Sequence, residues 1–263
     1  MEGIFVAPTA TKLGPAAAGA VVVCGSHGGD YAAYLVVAAG ARAVVLFDAG
    51  VGLERAGLGC LDYCGAIGMA AATVDVWSAR IGDAGDALAR GTISHANAVA
   101  RSAGCEPGMA CREAALALRA TPLPVGAGAH HADGRHPMGH TPAGAAIVCV
   151  DSASLVVPQD AGQVVVTGSH GGLVGAQPAA ALRADAAAAL FNDAGIGIDD
   201  AGIGRLAPLA QRGIAAATVA AATARIGDGR STYHHGILSR VNAIAHQRGA
   251  RPGTSARDFV ALF

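Results

Sequence analysis

Gly25-Ser26-His27-Gly28-Gly29 and Gly168-Ser169-His170-Gly171-Gly172 are the same five residues met twice in one chain. Behind the first come Asp48-Ala49-Gly50, Ala70-Ala71-Ala72-Thr73-Val74 and Ala79-Arg80-Ile81-Gly82-Asp83. Behind the second come Asp193-Ala194-Gly195, Ala215-Ala216-Ala217-Thr218-Val219 and Ala224-Arg225-Ile226-Gly227-Asp228. The turns align at a shift of 143 positions and the later motifs at 145, so the second copy carries two extra residues between them. Of the 61 pairs from Asp48/Asp193 to Gly108/Gly253, 27 are identical. The chain is internally duplicated, and the fold of one copy predicts that of the other.

Within each copy, short β-branched or alanine-rich runs alternate with stretches of helical length. Ala20–Cys24, Ala43–Phe47 and Ala70–Val74 read as buried strands, with helices expected over Tyr31–Ala39, Leu53–Tyr63 and Asp86–Ala103. Gly40 is the expected C-cap of the first helix, and Pro107 and Gly108 end the last. The second copy repeats the series with strands Val164–Thr167, Ala187–Phe191 and Ala215–Val219. Its helices are expected near Pro178–Leu182 and over Gly202–Gln211 and Ser231–Arg248. Strands separated by helices imply an α/β fold in which duplicated βαβαβ units form a mainly parallel sheet covered by helices, with pseudo-two-fold symmetry.

The organisation follows: residues 1–112 are the first repeat with an N-terminal arm, 113–161 a connector, and 162–263 the second repeat. The arm carries one short expected strand, Ile4–Val6. The connector begins as helix to about Leu118, passes through a Gly/His-rich loop, and offers Ala145–Val150 and Ser154–Val157 as a hairpin.

Composition narrows the function. At 263 residues, 52% apolar and 14% charged, the chain can bury a sizeable core. A formal charge of −1, ten aromatic residues and no basic run leave neither a phosphate track nor a stacking platform for nucleic acid. No uninterrupted apolar stretch spans a membrane, and no basic leader precedes the first strand. A cytoplasmic protein is expected. Six cysteines fall at 24, 60, 64, 105, 111 and 149, none in the second repeat, so reduced buried thiols are expected rather than a disulfide framework. Abundant alanine and glycine permit close helix approach and favour a homo-oligomer.

In parallel sheets, ligands bind beyond the carboxyl ends of the strands, and every shared polar motif falls there. Ser26, His27, Ser169 and His170 follow the first strand of each copy. Asp48 and Asp193 follow the second, and Arg80 with Asp83 and Arg225 with Asp228 follow the third. Each has a structural alternative: a histidine tying down a loop, an aspartate capping a helix, an Arg-x-x-Asp salt bridge. The Gly-Ser-His-Gly-Gly turn lets backbone amides converge on a carboxylate, phosphate or oxyanion. Its spacing matches neither nucleotide-binding glycine motif and differs from Gly-x-Ser-x-Gly.

The copies diverge after the third strand, where the second reads Gly229-Arg230-Ser231-Thr232-Tyr233-His234-His235. Ser231 or Thr232 suits an N-cap, and with Arg225 and Arg230 this helix start is a candidate anion site. The principal site is therefore expected in the second copy. Ser169, His170, Asp193, Asp228 and His234 are its catalytic candidates, and Gly168, Gly171, Gly172, Arg225, Arg230 and Ser231 hold the substrate. Ser26, His27, Asp48, Arg80 and Asp83 would supply a second site, or one composite across the pseudo-axis. In the connector, His130, His131, Asp133, His136 and His140 form a candidate divalent-metal set or an active-site flap; no other cofactor is indicated.

Lys12, the only lysine, is remote in sequence from these motifs, which disfavours Schiff-base chemistry. Serine, histidine, aspartate and arginine suit hydrolysis of an amide or ester bond in a small anionic, carboxylate-bearing metabolite. The alternatives are an isomerase or lyase abstracting a proton next to a carboxylate, and a non-catalytic small-anion-binding module.

Overall fold

The computed structural model describes residues 2–131 and 134–263. Two mixed, mostly parallel sheets carry the chain. The first has the order β1 (Ile4–Ala7), β2 (Val21–His27), β3 (Ala43–Phe47), β4 (Ala70–Val74), β5 (Ile93–Ala96). β1 to β4 run parallel, and β5 closes the edge antiparallel to β4. The second sheet has six strands: β6 (Arg135–His140), β7 (Ala146–Val150), β8 (Val164–His170), β9 (Ala188–Asn192), β10 (Ala215–Val219) and β11 (Leu238–Val241). There β7 to β10 are parallel and both edges antiparallel. Every residue of β3, β4, β9 and β10 is buried, as continuous apolar runs between helical layers require.

Helices α1 (Asp30–Ala38), α2 (Gly59–Gly65), α3 (Ala84–Arg90), α4 (Ala98–Ser102) and α5 (Cys111–Ala117) belong to the first sheet. Helices α6 (Leu206–Gln211), α7 (Gly229–His235), α8 (Ala243–Gln247) and α9 (Ala256–Val260) belong to the second. None is long and apolar enough to cross a membrane among the described residues.

The long helices expected over Asp86–Ala103 and Ser231–Arg248 are each broken into helix, edge strand and helix. Gly91 and Gly236 stop α3 and α7, because a Cβ at either would lie 2.5 or 2.4 Å from the carbonyl oxygen of Ala87 or Thr232. Asn97 and Asn242 then start α4 and α8. Asn97 Oδ1 accepts the Ala100 and Ala71 N–H groups while its amide donates to Met69 and Leu61 carbonyls, and Asn242 repeats all four bonds.

Three further expectations are corrected. The connector hairpin pairs β7 with β6, not with Ser154–Val157, whose turn is held by Ser152. The Pro178–Leu182 region holds only a 3-10 turn, Pro178–Ala180, and α7 is capped by Asp228, not Ser231 or Thr232. The segments after β3 and β9 open as 3-10 turns, Leu53–Leu58 and Ile198–Ile203, before α2 and α6.

The carboxyl ends of the two parallel cores abut. A Cβ on Gly50 would lie 2.9 Å from Gly195 Cα, so only glycines allow the Asp-Ala-Gly turns to touch. Reciprocal backbone bonds cross the junction, Leu53 N–H to Ala221 O and Ile198 N–H to Val76 O, both 2.8 Å. Val51 and Ile196, β-branched yet left-handed at φ 63° and 65°, store strain at this seam.

Candidate active site between the halves

The seam brings His27, last residue of β2, to His170, last residue of β8, with ring centroids 6.4 Å apart and planes at 80°. Each ring packs on the Arg-Ile-Gly-Asp turn of the opposite half: a Cβ at Gly227 would sit 3.4 Å from His27 Cε1, and one at Gly82 3.6 Å from His170 Cε1. The Nδ1 of His27 accepts the Gly29 N–H at 3.1 Å, and that of His170 the Gly172 N–H at 3.2 Å. Burial lowers the His27 pKa to about 4. Burial, then Arg205, then His27 push His170 well below its ordinary value. Both imidazoles are neutral at neutral pH. With Nδ1 accepting, the proton sits on Nε2, which makes each ring a hydrogen-bond donor there.

The two histidines line a cavity of about 260 Å³ that draws on both repeats, the N-terminal arm and the connector. Ser26 and Ser169 are in its wall. Ser26 Oγ accepts the Ala10 N–H at 3.0 Å and Ser169 Oγ the Ala153 N–H at 2.8 Å, so each ties a neighbouring segment to its turn. Among the described residues neither serine is hydrogen-bonded to an imidazole.

Arg205, also in the wall, is the residue the sequence reading missed. It is 5% exposed, and its guanidinium stacks 5.1 Å from the Phe191 ring centre. Its Nε donates to Gly172 O at 3.0 Å and its Nη1 to the carbonyls of Ala180 and Ala181, which pins the loop after His170. No carboxylate pairs with it among the described residues, and burial lowers its pKa to about 10, still high enough to keep the charge. Its equivalent in the first repeat, 145 positions earlier, is Cys60. That mismatch inside an otherwise matching Gly-x-Gly-x-Leu stretch was the available signal. Lys12 and Arg183 also line the cavity, so Lys12, remote in sequence, shares a wall with the Ser-His motifs in space.

Other candidates lie elsewhere. Asp48 Oδ1 accepts the Gly50 and Val76 N–H groups, and Asp193 Oδ1 those of Gly195 and Ala221, so both carboxylates brace the seam. Burial raises the Asp48 pKa from its ordinary value. Arg225 reaches across the halves to Glu54 at 2.9 Å and pairs with Asp228 at 3.1 Å. Arg80 pairs with Asp86 at 3.0 Å and, at 3.7 Å, with Asp83. Arg225 and Asp228 line a second cavity of about 530 Å³ that shares His27, Tyr31 and Gly227 with the first. Ser231 Oγ accepts the Arg225 N–H, while Arg230 and His234 are exposed on α7 and line neither cavity. Gly168, Gly171 and Gly172 are close-approach positions, where a Cβ would lie 2.3 Å from Asp228 N, 2.5 Å from Gly202 O and 2.9 Å from Ala201 O.

No family model, curated protein or solved structure matches the chain. The site is therefore read from its own geometry.

Among the described residues no group of three or more His, Cys, Asp or Glu side chains is placed to hold a metal ion. His130 and His131 pack on Tyr34 and Tyr31, while His136 and His140 lie on β6; Asp133 lies outside the described residues. All six cysteines are free and buried, and burial raises each thiol pKa, that of Cys24 to about 11.

Proposed function

We propose that the protein is an enzyme that binds a small carboxylate- or phosphate-bearing metabolite in the cavity between its halves. His27 and His170 act there as neutral donors to a substrate oxygen. The observation that carries this reading is Arg205, a buried guanidinium in the wall beside His170 that has no carboxylate partner among the described residues. Three backbone carbonyls and the Phe191 ring offset part of the cost of burying this charge, and an anionic ligand would offset the remainder.

Neutral imidazole N–H groups stabilise negative charge developing on a carbonyl oxygen. Amide or ester hydrolysis and proton abstraction next to a carboxylate both build that charge, so the donor pair serves either. For hydrolysis, Ser169 is the candidate nucleophile: its Oγ accepts the Ala153 N–H, and its hydroxyl proton would pass to Asp151, the carboxylate of the same wall. Ser169→Ala separates the two, abolishing hydrolysis but leaving proton abstraction largely intact.

The binding reading is tested by nitrogen-resolved imidazole spectra recorded during titration with acetate and with inorganic phosphate. Two neutral Nε2–H rings that shift on anion addition are expected. Imidazolium rings at neutral pH, or rings that respond to neither anion, would overturn it.

A further inference from the structure

We propose that the ligand is a dianion with one charge at each end, and that Lys12 meets the second charge. The inference rests on the anion-binding reading above and concerns which anion is bound.

The charges in the wall do not balance. Lys12, Arg183 and Arg205 face a single carboxylate, Asp151. Elsewhere Arg80, Arg90, Arg135, Arg212 and Arg225 pair with carboxylates, while Arg42, Arg101, Arg240 and Arg251 donate to backbone carbonyls. Among the described residues none of the three cavity cations pairs with a carboxylate. Asp151 is already engaged: Oδ2 accepts the Gly134 N–H at 2.7 Å and Oδ1 the Gly229 N–H at 3.0 Å, and Oδ2 lies 3.8 Å from His136 Nε2. The histidines are neutral. Three cations against one carboxylate leave two positive charges without a counterpart.

These charges come from different walls. Arg205 and Arg183 belong to the second half, and Arg183 is tied to the connector through Ser154 O at 2.8 Å. Lys12 ends the 3-10 turn of the N-terminal arm, which is fixed to the first half where Ala10 N–H bonds Ser26. A phosphate monoester concentrates its charge on one group and would engage one wall. A short dicarboxylate engages both, and a cavity of about 260 Å³ suits a ligand of a few carbons.

The test is calorimetric titration of the intact protein with succinate, propionate and inorganic phosphate, repeated on Lys12→Ala and Lys12→Arg. Lys12 is exposed, so both variants should fold as the parent does. Succinate should bind about 2- to 10-fold more tightly than propionate, the worth of one further charge-assisted bond weakened by the solvent around the exposed Lys12. Lys12→Ala should erase most of that preference with propionate binding unchanged, and Lys12→Arg should restore it. Propionate binding with no succinate preference, or a preference indifferent to Lys12→Ala, would overturn the dianion inference alone. Phosphate binding tighter than succinate would do the same. No binding of any of the three would overturn the anion-binding reading itself.

Discussion

Replacing Arg205 by cysteine puts into the second half the residue the first half carries at the same place. The guanidinium makes hydrogen bonds to three backbone carbonyls, of Gly172, Ala180 and Ala181, and stacks on Phe191. Removing a charged donor from buried acceptors costs about 1–3 kcal/mol per acceptor left unpaired, while freeing the chain from burying a cation returns part of it. The net loss should be about 2–4 kcal/mol. For a chain of this size each kcal/mol moves the melting temperature by about 2–4 °C. A fall of roughly 4–16 °C is therefore expected by calorimetry. Carboxylate affinity, followed by titration below the lowered melting point, should fall about 10- to 100-fold as one charge-assisted contact is lost. A variant that loses stability but binds carboxylates as well as the parent would show that Arg205 is only a loop clamp.

Three further outcomes are expected. His27 has a folded pKa of about 4 against an ordinary 6.5, so between these values the unfolded chain binds more protons. Its contribution, on the order of 2–3 kcal/mol, is full above pH 6.5 and is lost as pH falls towards 4; His170 acts in the same direction, and Asp48, raised by burial, opposes it. Thermal melts from pH 8 to 4 should show this slope, and His27→Gln should flatten it; an unchanged slope would contradict the buried neutral state. Asn97→Ala and Asn242→Ala, each leaving two buried N–H and two C=O groups unmatched, should each cost about 2–4 kcal/mol in denaturant unfolding, and losses under 1 kcal/mol would show that the clamps are dispensable. Gly82→Ala should be far more damaging than Gly227→Ala: both have left-handed φ, 91° and 86°, but only at Gly82 would the Cβ meet backbone, Leu173 O at 2.2 Å. Equal melting temperatures for the pair would refute that account.

The duplication made the parallel cores legible, because buried strands announce themselves as apolar runs of fixed length. The edge strands β5 and β11 were not, since Ser94, Asn97 and their equivalents also fit a helix, and only the clamp to β4 and β10 shows that the asparagines begin new helices. The Ser-His turns and the Arg-x-x-Asp pairs were legible as motifs at strand ends. Which half faces which was not, because a repeat read along the chain says nothing of how its copies dock. The arginine chosen as anchor, Arg225, is engaged by Glu54 and Asp228. Arg205 belongs to no polar motif, because its neighbours in sequence are apolar, and its importance comes from the loop folded over it.

The contact between Gly50 and Gly195 has one more implication. Two separate but identical chains meeting there would have to present two arginines at this depth, or two cysteines. Joined in one chain, one half sets Arg205 in the cavity wall while the other keeps the buried Cys60 at the same place, outside both cavities, so the cavity has unlike ends. Such a cavity distinguishes one direction along its length from the other, even though the framework around it is nearly the same viewed from either side.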